Sequence, residues 1–287
     1  MTKKGIILAG GNGSRLYPAT RAINKHLLPI NGKPMIYYSL SILMLSKIKD
    51  IQIVVNPGEK KSFQKVIGSF KDLGIKISFI TQKKPNGIAE IFKISKKFIG
   101  SDKFALILGD NFFYGQGLTY YLKKIKKIKK NECIIFTHPV KNISSFGCLE
   151  KTNKKFRVIE KPKKSKSNLA VTGLYAFDYN SIQFAKNQKK SNRGELEIAD
   201  IINSYADKNK LKNINIGRGT TWFDMGTIDD FLKANNFVDL IEKENQFKIS
   251  CLEEIAFKNK WIDKKNIQNR INFYGKDHKI SKYLVSL

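Results

Sequence analysis

The sequence predicts a three-layer α/β/α fold with a mainly parallel central sheet and a C-terminal helical extension. Short, continuous apolar runs recur at residues 5–9, 51–56, 75–80, 104–108, 133–137 and 169–177. Helix-length segments separate several of them, at 35–47, 60–70 and 89–99. Strands that are apolar on both faces and alternate with helices suit a parallel sheet covered on both sides. The polar residues follow the strands: Gly10 the first, Gln82 the third, Asp110 the fourth. In open α/β sheets, ligands bind at those carboxyl ends.

The first strand runs into a glycine-rich loop, GIILAGGNGSRL at residues 5–16, with KHLLP at 25–29 close behind. Glycines let backbone N–H groups close around phosphate oxygens, and Arg15 adds charge where an anionic leaving group would sit. There is no Gly-Lys-Ser/Thr, so the loop is not of the Walker A type. Leu16 occupies the third glycine position of the dinucleotide fingerprint. A plain turn between strand and helix would explain the glycines but not Arg15 and Lys25.

After the third strand comes QKKPNGIA at 82–89. The Gln82 amide can donate and accept together, as the imide edge of thymine or uracil requires, and Gly87 permits close approach of backbone to a base. The alternative is an ordinary Pro-Asn-Gly turn. The fourth strand ends in Asp110 and Asn111, and a second carboxylate, Asp224, lies in TWFDMGT at 221–227. Mg²⁺ takes one or two carboxylates plus substrate phosphate oxygens; otherwise Asp110 caps a turn and Asp224 forms an Asx-turn. Leu122, Ile125 and Ile128 recur at a spacing of three within 122–130, which predicts an amphipathic helix with a solvated lysine face. Glu160 and Lys161 stand together at a strand end, followed by VTGLY at 171–175 and RGELE at 193–197. Alone, Glu-Lys-Pro is surface filler. In this company Lys161 is a compact cation for a sugar phosphate, Arg193 could clamp it, and Asn111, Glu160 and Thr172 can bind hydroxyls. The strand pattern fades at about residue 229, so residues 1–228 are expected to form one catalytic domain and 229–287 a helical extension packed on it.

The formal charge of +29 invites a nucleic-acid reading. Only six of the 53 basic residues are arginines, however, and the lysines are scattered, so nucleic acid is not expected as a partner. Cys133, Cys148 and Cys251 have neither metal-ligand spacing nor the even number of a disulfide framework. No apolar run approaches a membrane span or a signal peptide, and a cytoplasmic location is expected. The histidines form no triad with a serine or cysteine, so nothing points to a covalent nucleophile.

These motifs resemble the sugar-1-phosphate nucleotidylyltransferases, in particular the glucose-1-phosphate thymidylyltransferase type. The resemblance runs through residues 5–16, 25–29, 33–38, 82–89, 108–115, 160–162, 171–175, 193–200, 222–227 and 251–257. It implies a Rossmann-like nucleotidyltransferase fold, Mg²⁺ dependence, a homotetramer and feedback inhibition by a downstream dTDP-sugar. The implied reaction joins dTTP and α-D-glucose 1-phosphate into dTDP-glucose with release of diphosphate, the first step toward dTDP-rhamnose and other deoxysugars. The resemblance puts Mg²⁺ on Asp110 and Asp224, Arg15 at the departing diphosphate, Lys25 at the α-phosphate and Lys161 with Arg193 at the sugar phosphate. It gives the nucleotide to Leu8, Gly10, Gly11, Gln82, Gly87 and Asp110, and the glucose to Asn111, Gly147, Glu160 and Thr172. Asn86 stands where such chains often carry an acid, and Phe146 where tyrosine is common. The same chemistry with UTP or CTP, or with another sugar, is the nearest alternative. A non-catalytic nucleotide-sugar sensor is a more distant one.

Overall fold

Period-two burial along the central strands sets the layering. In β1 (Lys4–Leu8), Ile6 joins one apolar cluster and Ile7 another. A later strand, Phe104–Leu108, repeats the split, with Phe104 and Leu106 on the first face and Ala105 and Ile107 on the second. Side chains alternate across a strand, so a run apolar at every position needs cover on both sides. The computed structural model describes residues 2–68, 70–152 and 155–287.

A short hairpin, β2 (Pro29–Ile30) and β3 (Lys33–Pro34), follows β1. The sheet strands after it are β4 (Asp50–Val55), β5 (Lys76–Thr81) and β6 (Phe104–Leu108). Beyond β7 (Asn111–Gly115) come β8 (Cys133–Pro139), β9 (Gly147–Thr152), β10 (Lys155–Glu160), β11 (Leu169–Phe177) and β12 (Leu211–Asn215); β13 is Thr220–Asp224. The order is β10-β9-β11-β6-β1-β4-β5, with β8 also on β11 and β12 on β8, nine strands among the described residues. One half, β6-β1-β4-β5, is parallel. The other, built on β11, is antiparallel except where β12 meets β8. The predicted apolar runs are found in β1, β4, β5, β6, β8 and β11. The expected strand end at Glu160 closes β10, but β9 and β10 are not among the apolar runs, since only Val158 of β10 is buried.

On one face lie α1 (Ile36–Leu45), α2 (Lys60–Ile67) and α5 (Leu118–Lys126), with Leu40, Phe63 and Leu122 in the core. On the other lie α3 (Ile91–Ile94), α4 (Lys96–Ile99), α6 (Asn180–Lys186) and α7 (Ile198–Ala206), contributing Phe92, Ile99, Ile182 and Ile201. The segment predicted as one helix over 89–99 is therefore broken, at Ser95. Leu122, Ile125 and Ile128 are buried, as their spacing required.

The C-terminal part is helical: α8 (Ile228–Glu244), α9 (Leu252–Lys258), α10 (Lys264–Tyr274) and α11 (Lys279–Leu284). The Thr227 hydroxyl accepts from Asp230 N and starts α8, which buries Ala234 and Val238 beside Phe112 and Met225. No helix among the described residues is long and apolar enough to cross a membrane.

One buried ion pair fastens α8 to the β2–β3 hairpin. The Glu242 carboxylate pairs with Lys33 and accepts from Lys248 Nζ and Asn31 Nδ2, each at 3.0 Å, and from Ile249 N at 2.9 Å. Burial pulls the Lys33 ammonium below its usual pKa, and Glu242 partly restores it. Removing one partner of such a pair leaves an uncompensated buried charge, so Glu242→Ala should cost about 3–5 kcal/mol in urea unfolding. The double change Lys33→Met with Glu242→Leu should recover most of that loss. A Glu242→Ala protein as stable as the parent would show that the pair does not hold the helix.

Candidate active site

Three neighbouring strand ends meet beside the glycine loop. A Cβ placed on Gly10, after β1, would lie 3.2 Å from both Asn56 Oδ1, after β4, and Gln82 Oε1, after β5. Asn56 fixes the loop from both sides: its oxygen accepts from Gly11 N at 2.9 Å and its nitrogen donates to Gly11 O at 3.0 Å. Leu8 brings its carbonyl to Gly109 N at 2.8 Å and so ties the loops after β1 and β6 together. Gly87 has φ +103, and a Cβ there would lie 2.5 Å from Leu196 O, so only glycine fits.

Lys25 begins a one-turn 3₁₀ helix capped by Asn24, which accepts from His26 N at 2.9 Å. This turn delivers Lys25 into an ion pair with Asp110. His26 lies beneath, 1% exposed, its ring against Gly109 and its Nδ1 on Asn24 Oδ1 at 2.7 Å. Burial and then Lys25 push its pKa down to about 3, so it packs uncharged.

Pairing of β13 with β7 sets Asp224 opposite Asn111, and Met225 N donates to Asp110 O at 3.0 Å. Two carboxylates 114 positions apart in sequence thus stand side by side. They line a cavity of about 190 Å³ together with Arg15, Gly147, Glu160 and Lys161. Arg15 lies over Gly226, where a Cβ would be 2.7 Å from its guanidinium. Burial pushes the Asp110 carboxyl up, but Lys25, His26 and hydrogen bonds from Lys25 and Asn111 outweigh it and hold the group well below the usual range. Asp224 goes the other way, to about 7, through burial and then the Asp110 charge, against the pull of Lys25 and Arg15. Two hard oxygen donors in one cavity, one short of a neutralising charge, fit a divalent cation such as Mg²⁺ that completes its shell elsewhere. Among the described residues no group of three or more His, Cys, Asp or Glu could hold a metal alone.

Gly147 and Glu160 face each other across β9 and β10, with a Cβ on Gly147 3.2 Å from Glu160 Oε2. Burial and Glu197 raise the Glu160 carboxyl despite Lys161 and Arg193. Lys161 holds φ +44 as its N–H reaches Phe146 O at 3.0 Å, a left-handed conformation costing a β-carbon residue on the order of 1–3 kcal/mol. Arg193 stands 3.5 Å from each of Glu160, Glu195 and Glu197. Asn111 lines the same cavity, with its amide already partnered by its neighbours. Its Oδ1 accepts from Gly173 N at 2.9 Å and Trp222 Nε1 at 2.7 Å, and its Nδ2 donates to Asp110 Oδ1 at 3.2 Å.

Of the residues expected at the sugar phosphate, Thr172 and Arg193 do not line the cavity. Thr172 is fully buried and does not line the cavity, its hydroxyl donating to Phe136 O at 3.0 Å. Along β11 the cavity-lining residues are Val171, Gly173 and Tyr175, so the period of two turns Thr172 away. The sequence reading also passed over Asn56 and Trp222. Asn56 ends an apolar run just as Gln82 follows one, and that signal was available. Trp222 gave none, because its place depends on the β7–β13 register.

The raised Asp224 carboxyl predicts a pH dependence. The folded protein keeps a proton that the unfolded chain releases near 3.8, so this stabilisation is full below about 4 and lost as pH rises through about 7. Asp224→Asn stays uncharged and should flatten that decline in melting temperature between pH 4 and 8 in metal-free buffer. Parallel curves for variant and parent would contradict it.

Residues 4–240 match the nucleotidyl transferase family. The chain is 43% identical over 287 residues to the glucose-1-phosphate thymidylyltransferase of Neisseria meningitidis serogroup A, covering 99% of both. It is 43% identical over 269 residues to that of Mycobacterium tuberculosis H37Rv, covering 93% of both. A solved Bacillus anthracis structure, provisionally assigned as a glucose-1-phosphate thymidylyltransferase and holding a sucrose, superposes with a TM-score of 0.75 at 36% identity, over 82% of this chain and 95% of that one.

Proposed function

The chain belongs to the nucleotidyl transferase family, and from that premise we propose that it is a glucose-1-phosphate thymidylyltransferase, converting dTTP and α-D-glucose 1-phosphate to dTDP-glucose and diphosphate. The observation that carries the reading is one cavity lined by two cations, Arg15 and Lys161, the carboxylate pair Asp110 and Asp224, and Glu160. Such a set suits the joining of two anionic substrates. Homotetramer formation, a cytoplasmic location and feedback inhibition by a downstream dTDP-sugar belong to the same proposal.

A phosphate oxygen of the sugar phosphate attacks the α-phosphorus in line, and the bond from that phosphorus to diphosphate breaks. A phosphate monoester is already a competent nucleophile, so neither a general base nor an enzyme-bound intermediate is required. Lys161, with Arg193, holds the sugar phosphate; Lys25 serves the α-phosphate and Arg15 the departing diphosphate. Gly10, Gly11, Gln82 and the Gly87 backbone hold the nucleotide. Gly147 and Glu160 line the sugar, while Asn111 shapes its floor through Gly173 and Trp222. Mg²⁺ held by Asp110 and Asp224 would neutralise charge on the reacting phosphates.

Diphosphate release measured with each nucleoside triphosphate and glucose 1-phosphate tests the reading. dTTP should be best, UTP modestly worse, since at the base uracil lacks only the thymine methyl, worth about 1–3 kcal/mol, and purines poor. Comparable kcat/KM for ATP would overturn it, and a preference for CTP would move the chain to cytidylyl transfer.

Asp110→Asn and Asp224→Asn should each lose most turnover while remaining folded by circular dichroism; near-parental activity at limiting Mg²⁺ would remove that residue from the metal assignment. Arg15→Ala should lower kcat by about 10²–10³-fold, as loss of a group that meets developing charge does. Lys161→Ala should chiefly raise KM for glucose 1-phosphate, because its contact exists before the reaction. Steady-state kinetics separate the two roles, and the reverse pattern would refute them.

A further inference from the structure

Gln82 is 6% exposed, so its amide has little freedom to exchange partners with solvent. Its Nε2 donates to Glu90 Oε2 at 2.7 Å and to Gly87 O at 3.3 Å. The other oxygen of the same carboxylate, Glu90 Oε1, accepts from Asn86 Nδ2 at 3.0 Å, which holds Glu90 in place. Gln82 Oε1 accepts no hydrogen bond among the described residues and faces the bare Cα of Gly10. One end of the amide is therefore committed to a carboxylate, and the other is presented to the mouth of the glycine loop.

We propose that Glu90 is a positioning residue that fixes the polarity of the Gln82 amide and so makes the base site select pyrimidines with an N–H at ring position 3. A carboxylate only accepts, so the amide nitrogen must face it and the oxygen must face out. An outward oxygen pairs with the N3–H of thymine or uracil. Against cytosine, whose N3 is an acceptor, it sets lone pair against lone pair. Turning the amide over would give cytosine its donor, but would press the amide oxygen against the Glu90 carboxylate. Without Glu90 only the longer contact to the Gly87 carbonyl opposes that turn. The inference rests on the thymidylyltransferase reading and deepens it, because Glu90 need not touch the base.

The test is the ratio of kcat/KM for UTP to that for CTP, measured on the full chain with glucose 1-phosphate and Mg²⁺. This pair shares a ribose and differs only at the base edge. Glu90→Ala should lower the ratio on the order of tenfold, the worth of one hydrogen bond to a charged group. Glu90→Gln keeps the size but can donate as well as accept, so it no longer forces one orientation of Gln82 and should lower the ratio too. Calorimetric binding of UDP and CDP reads the same preference without turnover. Glu90→Leu, which keeps bulk but offers no acceptor, replaces the alanine variant if a thermal melt shows that variant unfolded. Equal losses for both nucleotides in Glu90→Ala, with the ratio unchanged, would overturn the proposal and leave the thymidylyltransferase reading standing. A parent chain with no preference for UTP over CTP would instead overturn the reading of the base site, and this inference with it.

Discussion

The structure turns on holding Asp110 and Asp224 together in a place that excludes most water. Two like charges repel, and burial disfavours each, so the arrangement persists only because other elements compel it. The β7–β13 register fixes the backbone beneath both residues, and Met225 N on Asp110 O locks the crossing. Lys25 neutralises one carboxylate, while the other is left near the point of protonation. The 3₁₀ turn at Asn24, the uncharged packing of His26 and the aromatic cluster around Phe112 all serve to keep this pair in place.

The two halves of the sheet end in different chemistry. The parallel half ends in small polar groups, Gly10, Asn56 and Gln82, whose backbone and amides suit the flat edge of a base. The antiparallel half ends in Gly147, Glu160 and Lys161, a carboxylate and an ammonium that suit hydroxyls and a phosphate. They meet at β6 and β11, directly under the carboxylates. Away from the sheet, a second seam joins them. Leu196 N donates to Asn86 O at 2.7 Å and Ala89 N to Leu196 O at 3.2 Å, so the segment after β5 and the segment carrying Arg193 are stitched by backbone. Gly87 is glycine because that seam admits no side chain.

The sequence was most legible where one residue's chemistry and its local pattern agree. The apolar runs of the parallel half could be read because burial on both faces leaves no polar position to confuse them. Gln82 and Asp110 could be read because they follow such runs. The antiparallel half was harder, since β10 is a half-exposed strand whose residues resemble a surface loop. Thr172 illustrates a related limit of pattern: its run on β11 borders the cavity through Val171, Gly173 and Tyr175, and only the pleat tells which side a hydroxyl takes. Trp222 and the Asn111 network lay beyond the sequence because they depend on a register between strands more than 100 residues apart.

The C-terminal helices connect to the chemistry through charge as well as packing. Glu242 on α8 is met by Lys33, Lys248, Asn31 and a backbone N–H, more donors than a surface carboxylate needs. Buried ion pairs contribute little net stability compared with apolar packing, so their value lies in fixing one geometry. Here that geometry is the position of the β2–β3 hairpin, which continues directly from the turn that carries Lys25. An apolar contact could hold the same helix with slack in its register. A lysine and a glutamate with every other lone pair satisfied cannot slide without exposing an unpaired charge. Lys25 is therefore set from both sides, by its pairing with Asp110 and by Glu242 through the hairpin that α8 holds.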